Sequence, residues 1–144
     1  MDILRISKTR ESQQFSCLGE QLEDILSVIN EDSKPLLWYG LDVDYYEITN
    51  GIFNTPISRF IHTKDLIIAT RNVEQFLSGV FIASENDITK WDLQNLPKTE
   101  EDEGFQIDEA EIEIRAFDTT YYEVYLKNSI VAEKLKLAFH PYIS

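Results

Sequence analysis

The chain has 144 residues, and 13 Lys and Arg against 26 Asp and Glu give it a formal charge of −13. With 43% hydrophobic and 12% aromatic residues it is too apolar for a disordered acidic tail, and its length suits one domain whose core needs no metal or disulfide. The charge argues against binding nucleic-acid phosphates or an anionic membrane surface, since both call for a Lys/Arg-rich face, and leaves a basic partner or plain solubility.

Asp2–Ser7 alternates loosely and is predicted to form a first strand. Leu18, Leu22, Ile25, Leu26 and Ile29 recur at helical spacing, so a helix is predicted over Ser16 to Asn30, with Ser16 as its N-cap and Glu20, Glu23 and Asp24 outward. Cys17, the lone cysteine, excludes an internal disulfide. Its neighbours are acidic rather than basic, so it reads as a half-buried small hydrophobe and not a reactive thiol. Leu36 to Thr49 is aromatic and β-prone, and Asn50-Gly51 before Ile52-Phe53 is a hairpin signal. Pro56 limits the return strand, and Ile57–Ile61 offers another short one.

Leu66, Ala69, Val73, Phe76 and Leu77 predict a second helix over Lys64 to Ser78, ended by Gly79. The alternative makes Leu66-Ile67-Ile68 a strand. Val80–Ala83 reads as a buried strand, Asn86–Leu96 is ambiguous, and Pro97 to Gln106 reads as an exposed loop. Ile112, Ile114 and Ala116 alternate with Glu111, Glu113 and Arg115, a strand with an acidic outer face. Asp118-Thr119-Thr120 makes the turn into a strand over Tyr121–Leu126, in which Tyr122, Val124 and Leu126 are the better core face. Asn128 caps a closing helix with apolar positions Ile130, Val131, Leu135 and Leu137 or Ala138. The fold expected is α+β, a single compact domain with a mostly antiparallel sheet of hairpins packed against about three helices.

The charge is uneven. Residues 1–72 carry a net −4 and residues 73–144 a net −9, and the window Glu100, Glu101, Asp102, Glu103, Asp108, Glu109, Glu111 and Glu113 holds eight acids and no base. A cationic partner would relieve that self-repulsion and be steered by it. The alternative is a solvated loop beside an edge strand whose charges prevent edge pairing. A second cluster interleaves Trp38, Tyr39, Asp42, Asp44, Tyr45, Tyr46 and Glu47. Carboxylates and aromatics suit an interface that receives Arg, although Trp38 and alternate tyrosines also suit a strand core. Tyr45 and Tyr46 are adjacent and would point to opposite faces. Tyr121 and Glu123 share a face with Tyr125 and extend the same chemistry.

Enzymatic readings are weak. Asp42, Asp44 and Glu47 could seed a divalent-metal site but lack the glycine and distal ligand of a calcium loop. Of the two histidines, His62 sits near a predicted helix start and His140 precedes Pro141 near the C-terminus, so both suit surface or capping roles. The five glycines are scattered, so no phosphate-binding loop is present. No cofactor or metal is implied, and a non-catalytic protein is expected. Asp2 to Arg10 has no apolar signal region, and the longest apolar runs fall far short of the roughly 20 residues of a membrane span. A cytoplasmic protein is expected.

The tract from Glu111 to Tyr125 followed by a short helix, with Phe76 to Ile82 upstream, resembles the C-terminal part of small acidic bacterial immunity proteins, antidotes to polymorphic or contact-dependent toxins. The resemblance implies an inhibitor that occludes the active-site surface of a cognate toxin domain, frequently a basic nuclease, with no catalytic residue of its own. An acidic adaptor or DNA mimic, and a small carboxylate-based metal-binding enzyme, are the alternatives.

Overall fold

The computed structural model describes residues 1–47 and 52–144. Within them the strands are β1 (Asp2–Ile6), β2 (Leu37–Glu47), β3 (Ile57–Phe60), β4 (Val73–Ser84), β5 (Ala110–Phe117) and β6 (Tyr121–Leu126). The helices are α1 (Gly19–Ile29), α2 (Thr63–Thr70) and α3 (Ser129–Phe139). The strands form one antiparallel sheet in the order β1-β6-β5-β4-β2-β3. This is the α+β architecture expected from the sequence. None of the helices is long and apolar enough to cross a membrane among the described residues. The predicted Asn50-Gly51 turn lies outside the described residues.

The helices cover one face, with α1 packed between α2 and α3. Leu22, Ile25, Leu26 and Ile29 of α1 meet Trp38, Phe76, Phe81, Ile114, Tyr122 and Val124 of the sheet in the main core. Trp38 is fully buried and donates its indole N–H to Thr63 Oγ1 at 2.9 Å, and that hydroxyl also pairs with Ser33 Oγ at 2.8 Å. Gly19 opens α1 where a Cβ would lie 2.0 Å from the Val73 carbonyl oxygen, so only glycine allows this approach.

Two predicted boundaries and one predicted core face are corrected. The first helix begins after Leu18, and Ser16 is not its cap; its hydroxyl donates to the Ser7 carbonyl, while Gln21 Oε1 accepts the Leu18 N–H. The second helix ends at Thr70, and Val73 to Ser78 belongs to β4, with Gly79 mid-strand. Its register against β2 skips Glu74 and Leu77. These bulges put Val73 and Phe76, three residues apart, on the same buried face, which imitates helical spacing. In α3 the buried positions are Val131, Ala132, Leu135 and Phe139, whereas Ile130 and Leu137 are exposed. Asn128 does cap this helix through Oδ1, which accepts the Ile130 and Val131 N–H groups.

The other face of the sheet is covered by the connection from β4 to β5, residues 85–109, which contains no helix or strand. Ile88, Trp91, Leu96, Phe105 and Ile107 of this strap pack on Tyr39, Leu41, Val80, Ile82 and Ala110. Trp91 meets Tyr39 edge-on at 5.2 Å.

Candidate functional site: an acidic strap held by a buried arginine

The strap carries most of the predicted acidic run, and its backbone is tied down from below. Arg115, on the sheet face beneath it, is completely buried. Its Nε donates to Glu113 Oε2 at 2.7 Å, Nη1 to the Glu101 carbonyl at 3.0 Å, and Nη2 to the Asp102 and Gly104 carbonyls at 3.1 and 2.6 Å. The guanidinium also lies 4.7 Å from the centre of the Tyr125 ring. Glu113 in turn accepts the backbone N–H and the side-chain amide of Gln106, both at 3.0 Å.

One charged pair thus replaces the regular hydrogen bonds that residues 101–106 lack. A buried ion pair repays its desolvation only when its remaining donors and acceptors find partners, and here every nitrogen of the guanidinium and both oxygens of Glu113 have at least one. No buried side-chain polar atom lacks a partner among the described residues.

The strap's other ties are shorter in reach. Thr99 is buried, takes the Gly79 N–H on its hydroxyl at 2.9 Å and gives its own N–H to Asp42 Oδ2 at 2.9 Å. At the sheet edge Glu123 accepts from Arg5 Nε at 2.9 Å and from the Tyr125 hydroxyl. Burial and that carboxylate both push the Tyr125 phenol above its usual range. Arg5 reaches on to Glu103 at 3.5 Å, and its guanidinium sits 5.5 Å from the Tyr121 ring, which stacks on Phe117.

The predicted site residues separate into groups. Glu113 and Glu123 are buried and paired, so the acidic outer face read from the β5 alternation is in fact the floor beneath the strap. The alternation was right; the cover, supplied by the connection between β4 and β5, changed its meaning. Tyr45 is half-buried against Phe53 and Phe76, while its neighbour Tyr46 faces outward. Tyr121 is half-buried, Glu111 likewise, and Glu47 ends β2 with its side chain outside the described residues. Asp42, Asp44, Glu100, Glu101, Asp102, Glu103, Asp108 and Glu109 are exposed. Of these only Glu103 forms an ion pair among the described residues.

Asp118, at the tip of the β5–β6 turn with φ of 50°, was not among the predicted site residues but shares a groove with Asp42 and Glu100. Arg115 was also missed. Its signal was available: it is the one Lys or Arg between Lys98 and Lys127.

Cys17 is fully buried rather than half-buried, with its thiol 3.3 Å from the Tyr121 carbonyl. Burial pushes the thiol up to about 12. His62 and His140 are exposed and cap α2 and α3, as their positions suggested. Among the described residues, no group of three or more His, Cys, Asp and Glu side chains is arranged to hold a metal ion. The chain matches no protein-family model, no curated protein and no solved structure.

Proposed function

We propose that this is a non-catalytic immunity protein of the cytoplasm that binds a cationic toxin domain, a basic nuclease being the best electrostatic match, and occludes its active-site surface. The observation that carries the reading is the anchored strap. Glu100, Glu101 and Asp102 project into solvent without ion pairs among the described residues, while the carbonyls of Glu101 and Asp102 are held by the buried Arg115. Loops of more than about 12–15 residues without secondary structure are uncommon in compact folds and usually functional. This one concentrates like charge at a cost in self-repulsion that a basic surface would remove.

A nuclease presents Lys and Arg to hold phosphate, so carboxylates on a pre-positioned loop can compete for the same groups and speed encounter. The test is co-expression with the product of the adjacent gene, followed by purification and an activity assay on that product. A salt-sensitive stoichiometric complex with loss of toxin activity is expected. Failure to bind the neighbouring product or purified basic nucleases overturns the reading.

A further inference from the structure

The strap leaves the sheet and rejoins it at one place. Ser84, the last residue of β4, is paired with Ala110, the first of β5, so the ends of residues 85–109 are clamped together by the ladder itself. Loops with adjacent ends are held by the packing of side chains rather than by secondary structure. Among the described residues, the backbone–backbone hydrogen bonding of residues 86–106 stays inside the strap, as with the Asn95 N–H on the Asp92 carbonyl at 3.0 Å. Only Pro97 and Thr99 of the strap are buried, and its apolar side chains Ile88, Trp91, Leu96, Phe105 and Ile107 are half-buried. By contrast, α1 buries Leu22, Ile25, Leu26 and Ile29 completely.

Every described hydrogen bond from residues 86–106 to the sheet uses a side chain. At one end the Tyr39 hydroxyl accepts the Ile88 N–H at 2.7 Å and donates to the Asp87 carboxylate. In the middle Asp42 accepts the Thr99 N–H. At the other end Glu113 accepts the Gln106 N–H, and Arg115 holds the carbonyls of Glu101, Asp102 and Gly104. All of these can break without the loss of one ladder hydrogen bond. Nor does their loss strand a charge, because water reaches Glu113 and Arg115 as soon as the cover leaves. A segment with few buried apolar contacts and no ladder of its own belongs to the low-stability end of a fold.

We propose that the strap is a separately opening cover: residues 86–107 leave the sheet as one cooperative unit, with β4 and β5 still paired, and uncover the apolar patch of Tyr39, Leu41, Val80 and Ile82. The ties at Tyr39, Asp42, Glu113 and Arg115 act together as its latch. On the reading of the strap as the partner-facing element, the same opening regulates that site. The carboxylates of Glu100, Glu101 and Asp102 have fixed spacing when the strap is closed and lose it when the strap opens.

The test is native-state hydrogen exchange on the free full chain at rising urea, under conditions where reclosing outpaces exchange. It uses no partner, so its result stands apart from that of the co-expression assay. The Ile88, Thr99 and Gln106 amides report the two ends and the middle of the strap, each through a different sheet side chain. A single shared protection and urea slope is expected for all three, with protection at least about tenfold below that of the slowest amides of β4 and β5. Tyr39→Phe should speed exchange at Thr99 and Gln106 about fivefold and by the same factor, although neither touches the lost hydroxyl. Arg115→Lys, at the other end, should speed Ile88 in the same way. Strap amides that share the protection and slope of β4 and β5 overturn the proposal, because the cover then leaves only with the whole fold. Different slopes at the three amides overturn it too, as does acceleration confined to the tie that a variant removes, or none at a remote tie in either variant, because each tie then opens alone.

Discussion

On its helix-covered face the sheet buries hydrocarbon against hydrocarbon, with Leu22, Leu26 and Ile29 over Phe76, Phe81 and Ile114. On its strap-covered face a smaller apolar patch is bordered by a fully buried Glu113–Arg115 pair and by Glu123 with Tyr125. The difference follows from what covers each face. A helix satisfies most of its own backbone groups and needs only an apolar stripe to dock. An irregular segment brings backbone carbonyls with it, and here side chains of the sheet must supply the donors. The strap face therefore depends on polar geometry where the helix face depends on volume.

The largest effect expected from breaking this contrast is at the latch. Arg115→Met leaves the Glu113 carboxylate buried without its cation, and a loss of about 3–5 kcal/mol in urea unfolding is expected. Adding Glu113→Gln to it should recover a substantial part, because the uncompensated charge disappears. A loss below about 1 kcal/mol for the single variant would show that the strap is held by its apolar contacts alone. Leu26→Ala should cost about 2–5 kcal/mol by opening a cavity on the helix face. It should leave amide exchange in residues 99–106 unchanged under conditions of local opening, whereas Arg115→Lys should accelerate it.

Thr63→Val leaves the Trp38 indole N–H and the Ser33 hydroxyl without their shared partner and should cost about 1–3 kcal/mol. High pH probes the helix side. The Cys17 thiol stays protonated in the fold up to about 12 but ionises near 9.0 once unfolded. The folded chain then holds the extra proton, so stability is full below about 9 and falls as pH rises through that window. The buried Tyr122 phenol on the same face, and the Tyr125 phenol on the strap face, are also raised and act in the same direction. Cys17→Ala should flatten the alkaline slope measured by unfolding at several pH values. Smallest in stability is the reversal of Glu100, Glu101, Asp102 and Glu103 to Lys, whose side chains are exposed. The unfolding midpoint should hardly move, while association with the proposed cationic partner slows and loses its salt dependence.

Much of the fold was legible along the chain. The β5–β6 hairpin, the Asn128 cap and the core face of Tyr122, Val124 and Leu126 follow from local periodicity and turn chemistry. Asp118 and Thr119 do adopt the left-handed conformations that a tight hairpin requires. The second helix was overextended because bulges in β4 shift the period-two pattern toward three, and register against β2 is a non-local property. The candidate site was half legible. Exposed acids at Glu100–Glu103 were where the loop reading placed them, but Glu113 and Glu123 were buried by a cover that no local pattern announces.

Composition alone determined the net charge of −13, which disfavours polyanionic neighbours, and the run from Glu100 to Glu113 placed the densest charge in the second half. Only the tertiary structure decided which of those carboxylates face solvent. Burial depends on which segment crosses which face of the sheet, and the strap crosses the face to which β5 turns Glu113 and Arg115. The one base just beyond that acidic stretch, Arg115, became the anchor of the loop because, once covered, a guanidinium has five donors to satisfy, and the strap's carbonyls and Glu113 were within reach.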